Sequence, residues 1–339
     1  MRSLITILIL LQYFCINLSA QNTDDVKSYD FIPGSRVVFE DNFTNEKSGN
    51  PPARWNMEGG SAAIGFEKEG NYVSIIEYYT KLSPLIRTLT SLPDTFTLEY
   101  DSWLDAGYDG NPGIELSLLN GDEELLITPN RDNIWCRFPG GNTTAETPES
   151  IKGALFYDRW NHIAVSYIKK QLNIYINQES VISIKDCNFI PKRIILKGNS
   201  SQGMKMFFKN FRLAKGIPSG IDEALSKGKY ITSGIRFDIN KSTIKPESMG
   251  VLNEIATYLK QHPGKKLEVG GYTDSDGEPA DNVRLSQSRA EAVKEQLKTM
   301  GADVSGLTTK GYGEENPVET NATSEGKANN RRVELVQQP

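Results

Sequence analysis

Residues 273–297, TDSDGEPADNVRLSQSRAEAVKEQL, join a glycine-containing turn to a long amphipathic segment. The turn carries the carboxylate of Asp274, and the helix predicted after it carries the guanidinium of Arg289. If the turn folds back on its own helix, these two opposite charges meet in one cleft. Such a cleft suits a zwitterionic ligand, because a carboxylate receives an ammonium group and a guanidinium binds a carboxylate through two hydrogen bonds. On spacing alone, a surface salt bridge that caps the helix is the simpler interpretation.

Around this stretch, strand and helix patterns alternate over residues 230–339. The runs YITSGIRFDI (230–239), KKLEVGGYTD (265–274) and RRVELVQ (331–337) predict strands. Apolar residues at helical spacing predict one helix before the second strand and another from about 282 to 300. These residues are Leu252, Ile255, Ala256 and Leu259 in the first helix, and Ala290, Val293, Leu297 and Met300 in the second. The order βαβαβ predicts an α/β domain in which the turn lies beside the second helix.

The second helix also carries a recognisable motif. Asn282-x-x-Leu285-Ser286-x-x-Arg289-Ala290-x-x-Val293-x-x-x-Leu297 resembles the signature of OmpA-like C-terminal domains. The resemblance covers roughly residues 230–337 and includes the runs IRFDINKSTIKPES (235–248), GYTD (271–274) and GYGEENPV (311–318) and the closing NRRV (330–333). Members of this family bind the stem peptides of peptidoglycan non-covalently through diaminopimelate. The resemblance therefore implies a peptidoglycan-binding domain that needs no cofactor.

The resemblance also implies roles for individual residues. Asp274 would hold the amine of diaminopimelate, and Arg289 its carboxylate. The side chain of Asn282 and backbone groups near Thr273 and Leu285 would line the cleft. The residues expected to border the ligand are Phe237, Asp238 and Asn240 on the first strand and Arg331 at the rim. Many relatives have histidine where this chain has Tyr272, a position expected to support the turn.

Residues 35–214 predict an all-β domain. Short β-rich runs such as FTLEYDSWL (96–104) and HIAVSYI (162–168) are separated by clusters of Gly, Asn, Pro and Asp, which is typical of an antiparallel sandwich or jelly roll. From Trp160 onward, the chain resembles the W-x-H-x-A-V…L-x-x-Y-x-N pattern of laminin-G and concanavalin-like domains. A membrane barrel is the competing β architecture, but these runs are short and carry charges on both faces.

The N-terminus and the junction between the two domains complete the predicted domain organisation. Arg2 followed by LITILILLQYFCINL and the small-residue exit before Gln21 predict a signal peptide over residues 1–20. Lipidation of Cys15 is the weaker alternative, because bulky aromatic residues precede it. Residues 215–229 are rich in Gly, Pro, Ser and Lys and are the expected linker. We expect the protein to be exported to the periplasm and to associate there with the outer membrane and the cell wall.

Composition excludes several other functions. The net charge of −5, with both signs interspersed, offers no footprint for nucleic acid. With two histidines and widely spaced cysteines, no metal-ligand spacing is recognisable. Cys136 and Cys187 are compatible either with a disulfide or with two separately buried thiols.

The β domain offers a rival, catalytic interpretation. Glu99 and Asp101 share one strand face and faintly resemble the carboxylates of laminarinase-like hydrolases, although Trp103 occupies the place of the third acid. An ordinary solvent-exposed face is the simpler expectation for the two acids. Calcium binding by the loop at 105–113 and sugar stacking by tryptophan are further alternatives; core packing is the default for Trp55, Trp103, Trp135 and Trp160.

The sequence thus predicts a non-catalytic envelope protein. Its C-terminal domain anchors the chain to peptidoglycan, and its β-sandwich binds or scaffolds an envelope protein or a glycan. The alternative is a wall-anchored glycan hydrolase with a concanavalin fold.

Overall fold

The computed structural model describes residues 29–68, 70–104, 113–129, 133–139, 141–146, 158–199, 204–217 and 220–339. The predicted signal peptide, Cys15 and nearly all of the loop suggested for calcium lie outside these residues.

The N-terminal part folds into two antiparallel sheets. Its strands are Arg36–Asp41 (β1), Trp55–Gly59 (β2), Ala62–Glu67 (β3), Gly70–Ile75 (β4), Thr80–Pro84 (β5), Thr95–Leu104 (β6), Glu115–Asn120 (β7), Glu123–Pro129 (β8), Asn133–Phe138 (β9), Gly141–Glu146 (β10), Arg159–Ile168 (β11), Gln171–Ile176 (β12), Glu179–Ile184 (β13), Arg193–Gly198 (β14) and Met206–Lys215 (β15). The first sheet has the order β13-β12-β11-β6-β15-β4-β3, with β1 also paired to β15. The second sheet has the order β10-β9-β8-β7-β14-β5-β2.

Alternation along the strands explains why the two sheets pack into a sandwich. In the hairpin β11–β12, Ile163 faces Ile176 and Val165 faces Ile174, and all four side chains are buried in a core shared by both sheets. Ala164 points to the opposite, outer face of the first sheet and belongs to a separate apolar cluster. The prediction of an antiparallel sandwich is confirmed.

The tryptophans do not all follow the default of core packing. Trp55 is buried between the sheets, but Trp135 is 55% exposed, so core packing is wrong for this residue. Trp103 and Trp160 are half-buried side by side, with ring centroids 5.6 Å apart. They are not members of the sandwich core.

The C-terminal part is an α/β domain. Its elements are helix Ile221–Ser226 (α1), strand Lys229–Thr232 (β16), a 3₁₀ turn Pro246–Ser248, helix Met249–Gln261 (α2), strand Leu267–Gly271 (β17), helix Pro279–Thr299 (α3), strand Leu307–Gly311 (β18), helix Ser324–Asn330 (α4) and strand Val333–Gln337 (β19). The sheet order is β16-β19-β17-β18, with β17 and β18 parallel. The two predicted apolar helix stripes lie in one core with the sheet.

Some elements differ from the predicted order. The first strand ends at Thr232, and Phe237 makes only an isolated bridge to Ile244. Strand β18 and helix α4 were not predicted, because β18 buries little of its short LTTKG run and α4 is mostly polar. Helix α1 lies inside the stretch expected to be the linker, and its apolar side chains are buried in the C-terminal core.

The two domains are in contact through the outer face of the first sheet. Residues 29–33, here called the N-terminal strap, lie between this sheet and α2. Phe31 is 1% exposed, and its ring contacts that of Tyr175 with centroids 5.4 Å apart. On the other side, Asn253 of α2 donates a hydrogen bond to the carbonyl of Tyr29 at 3.1 Å. Gly250 lets the strap approach, because a Cβ there would lie 1.9 Å from the carbonyl oxygen of Phe31.

Three properties of the described residues bear on function. None of their helices combines the length and apolar character needed to cross a bilayer. No group of three or more acidic, histidine or cysteine side chains among them is arranged to hold a metal ion. Cys136 and Cys187 are both buried and unbridged, in agreement with the two-thiol alternative.

Candidate functional site

The turn after β17 is held against helix α3. Gly271 makes this possible, because a Cβ there would lie 2.2 Å from the backbone oxygen of Ser286 in α3. The backbone amide of Thr273 then donates to the carbonyl of Gly313 at 2.8 Å. The turn therefore folds back on its own helix, as the sequence suggests.

Tyr272 supports this turn through the contacts of its ring. Its ring stacks on that of Tyr312 at 4.8 Å and 3°. The guanidinium of Arg332 lies 3.7 Å from the centroid of the Tyr272 ring. Arg332 is itself buried and donates from Nε to Glu334 at 2.7 Å. Tyr272, which stands where many relatives have histidine, thus supports the turn by packing.

Asp274 is the acidic group of the predicted cleft. It is 8% exposed, and its Oδ1 accepts a hydrogen bond from the amide of Asp276 at 3.1 Å. Its Oδ2 accepts from Nη1 of Arg331 at 2.6 Å. The carboxylate is therefore paired in this structure with Arg331, which the sequence predicts only at the rim.

Arg289 is the second cation of the predicted cleft, beside Arg331. Its Nε donates to the carbonyl of Lys241 at 3.0 Å, and its guanidinium carbon lies 5.0 Å from the ring centroid of Phe237. Within the described chain its Nη groups make no hydrogen bond. Burial and the charge of Arg331 lower the pKa of Arg289, whereas the carboxylate of Asp274 opposes this shift. A guanidinium held through Nε with its Nη groups unused can bind a carboxylate.

The other predicted residues divide into two groups. Thr273 is buried beside Asp274, and its Oγ1 has no hydrogen-bond partner among the described residues. Asn282 is also buried, and its Nδ2 donates to Glu314 at 2.8 Å and to the carbonyl of Asp274 at 3.4 Å, so it supports the turn. Leu285 and Asp238 are partly exposed, and Asn240 is exposed at the tip of the loop with a φ of 56°.

One residue at the site was not foreseen. Nη2 of Arg331 pairs with Oε2 of Glu40, which lies on β1 of the sandwich. Burial opposes the charge of Arg331, but Glu40 and Asp274 raise its pKa. No local sequence signal connects Glu40 with Arg331, because 291 residues separate them and they belong to different domains.

The acids considered for catalysis lie under the domain interface. Glu99 is 1% exposed, so a solvent-exposed face is wrong for this residue. It pairs with Arg236 of the C-terminal domain and with Nε2 of His162 at 3.3 Å. Nδ1 of His162 contacts Asp101 at 2.8 Å. These contacts form a buried ionic cluster rather than an open pair of carboxylates.

The pKa values agree with this description. Burial alone would raise the pKa of Glu99, but Arg236 and His162 lower it to about 2. Burial would lower the pKa of His162, but its contacts with Asp101 and Glu99 raise it to about 9. The cluster is thus ionised at neutral pH.

Comparison with known proteins agrees with the C-terminal architecture. The OmpA family model matches residues 236–331. The chain is 44% identical over 107 residues to the probable lipoprotein YiaD of Escherichia coli, covering 32% of this chain and 49% of that protein. It is 38% identical over 107 residues to the peptidoglycan-binding protein ArfA of Mycobacterium tuberculosis, covering 31% of this chain and 33% of that protein. The chain thus spans half or less of these relatives.

Among solved structures, the peptidoglycan-associated lipoprotein of Burkholderia pseudomallei matches with 31% identity and a TM-score of 0.30. The match covers 34% of this chain and 93% of that one.

Proposed function

We propose that this chain, whose residues 236–331 form an OmpA family domain, is a non-catalytic cell-envelope protein that anchors itself to peptidoglycan. The diaminopimelate of a stem peptide binds between the turn after β17 and helix α3. Asp274 receives its amine, and Arg289 receives the carboxylate on the same carbon. The two charges distinguish such an end from a neutral one.

One observation supports this proposal: the carboxylate of Asp274 acts electrostatically on the guanidinium of Arg289, which has unused donors among the described residues. Arg289 is fixed through Nε and keeps its Nη groups unbonded among the described residues. The buried Oγ1 of Thr273, which lacks a partner there, offers a further polar contact. Two charge-assisted contacts of about 1.5–3 kcal/mol each supply about 3–6 kcal/mol, which corresponds to a dissociation constant between the millimolar and the tens-of-micromolar range. Many copies on one polymer convert this weak interaction into a stable tether.

The relatives support both the ligand and the location. ArfA is named for peptidoglycan binding, and YiaD is named a probable lipoprotein. Together with the predicted signal peptide, they favour a position in the periplasm, at the cell wall and associated with the outer membrane.

For the sandwich, we propose binding or scaffolding of an envelope protein or glycan. Half-buried aromatic rings support this role. Phe207 lies beside Trp103, with ring centroids 6.4 Å apart, and Lys209 lies 4.0 Å from the ring centroid of Trp160. Aromatic rings with adjacent charged groups suit the apolar faces and hydroxyls of sugars.

The alternative of a glycan hydrolase has less support. A catalytic carboxylate must reach the glycosidic bond, whereas Glu99 is buried and paired with Arg236. Incubation with laminarin, other β-glucans and peptidoglycan, followed by assay of reducing ends, tests this point. Turnover by the wild type that a folded Glu99→Gln variant lacks would favour the enzyme.

The anchor is tested by sedimentation with purified sacculi, using the chain without its predicted signal peptide. Asp274→Ala and Arg289→Ala should each weaken binding about 10- to 150-fold, the equivalent of one charge-assisted contact. Arg284→Ala is a matched control, because Arg284 lies on the same helix, is exposed and pairs only locally with Asp281. Undiminished binding by both cleft variants would refute the proposal.

A further inference from the structure

We infer that Glu40 of the sandwich is a specificity-determining residue of the cleft, because it neutralises Arg331 and leaves Arg289 as the cation available to the ligand. This inference rests on the proposed function. It makes the sandwich part of the wall-binding site.

The geometry begins with the position of Arg331 between two carboxylates. Its Nη1 donates to Oδ2 of Asp274 at 2.6 Å, and its Nη2 pairs with Oε2 of Glu40. The other oxygen of Glu40 lies 3.8 Å from Nε of the buried Arg212, on the neighbouring strand β15. Glu40 is thus held from the sandwich side and directed at Arg331.

The domain contact fixes this arrangement. Helix α4, which ends immediately before Arg331, lies against the edge of β1. Asn329 of α4 accepts a hydrogen bond from the amide of Val37 at 2.9 Å and donates one to its carbonyl at 3.0 Å. These two hydrogen bonds pair the side-chain amide of Asn329 with the edge of β1, as a neighbouring strand would pair with it. A second ion pair, between Arg54 immediately before β2 and Glu325 of α4, holds the same two domains together.

Charge balance gives Glu40 its effect on the ligand. Asp274 and Glu40 carry two negative charges, and Arg331 and Arg289 carry two positive charges. With Glu40 present, Arg331 is shared, so an ammonium can approach Asp274 and a carboxylate can bind Arg289. Without Glu40, Arg331 is left to Asp274 alone and competes with the ammonium. The cleft then has an excess positive charge that favours ligands with carboxylates and no amine.

Two small ligands of equal length separate these cases. Meso-diaminopimelate carries an amine beside each carboxylate, and pimelate carries the carboxylates alone. We expect isothermal titration of the chain without its signal peptide to show a preference for diaminopimelate. Glu40→Gln should lower the ratio of the two affinities about tenfold, the effect of one charge-assisted contact. Glu40→Gln/Arg331→Gln should restore the ratio, because it also removes the charge that Glu40 balances.

The matched control is Glu325→Gln. It removes an ion pair between the same two domains but leaves Arg331 untouched, so it should not change the ratio. An unchanged ratio in Glu40→Gln, or an equal change in Glu325→Gln, would overturn the inference while leaving the anchor intact. If Glu40→Gln alone does not fold, the ratio of the two affinities in Arg331→Gln is compared with the ratio in the double variant instead. A wild-type chain that binds neither diaminopimelate nor sacculi would overturn the proposed function itself.

Discussion

Replacing Glu99 by glutamine should reveal how strongly the two domains are held together. The substitution keeps the size of the side chain and removes its charge. Three buried or half-buried cations surround Glu99. Arg236 pairs with it directly, and Nε2 of His162 lies 3.3 Å away. Arg212 lies opposite it on the neighbouring strand β15. The variant therefore removes the carboxylate that all three cations share.

The expected loss follows from the distances. At an effective dielectric constant of about 20, opposite charges 3.3 Å apart attract each other by about 5 kcal/mol. The release of Glu99 from its own desolvation cost offsets part of this term, and glutamine retains hydrogen-bonding capacity. Removal of one partner from a buried pair typically costs about 3–5 kcal/mol. We expect Glu99→Gln to lower the free energy of unfolding by about 3 kcal/mol.

Urea denaturation followed by circular dichroism measures this loss in the chain without its predicted signal peptide. Glu223→Gln is the control, because it removes the exposed pair that Glu223 forms with Lys227 on α1 and should cause no measurable change. A loss below about 1 kcal/mol in Glu99→Gln, or one equal to that of the control, would refute the interpretation of the cluster as an interface determinant.

Three further predictions concern buried groups. Gly250→Ala should favour the helix by about 1 kcal/mol, yet the new Cβ would lie 1.9 Å from the oxygen of Phe31, so limited proteolysis should cut the strap faster. His162 has a pKa raised to about 9, above that of the unfolded chain. The stability it contributes is therefore complete below about pH 6.5 and lost as pH rises through about 9. The free energies of unfolding measured in urea at pH 6 and pH 9.5 should differ less in His162→Gln than in the wild type. Burial raises the pKa of the Cys136 thiol to about 12 and also raises that of Cys187, so Ellman's reagent should react with them only in denaturant.

Much of the C-terminal domain could be predicted because its signals are local. The apolar stripes of α2 and α3 have helical spacing, and both lie in the core. Asp274 and Arg289 belong to one turn-helix unit, so the contact of the turn with helix α3 follows from short-range geometry. Strand β18 escaped prediction because it is short and half-polar, and parallel pairing with β17 gives it a place in the sheet.

The domain interface could not be predicted, because its partners are distant in sequence. Glu99 and Arg236 look like ordinary surface charges when each is considered in its own strand or loop. Only the docking of the two domains places them together and removes them from water. The same holds for Glu40, whose role in the cleft depends on Arg331 of the other domain.

The strap has a consequence for the order of folding. The hydrogen bond between Tyr29 and Asn253 joins residues 224 positions apart, and Phe31 rests on a glycine of the same late helix. Ribosomes release the N-terminal part of a chain first, so the sandwich can complete its own sheets while the strap still lacks its binding surface. Closing so long a loop adds an entropic cost that grows only slowly with its length. Docking of the strap on α2 is therefore expected to follow the folding of the sandwich, and Phe31 lacks part of its final cover until then.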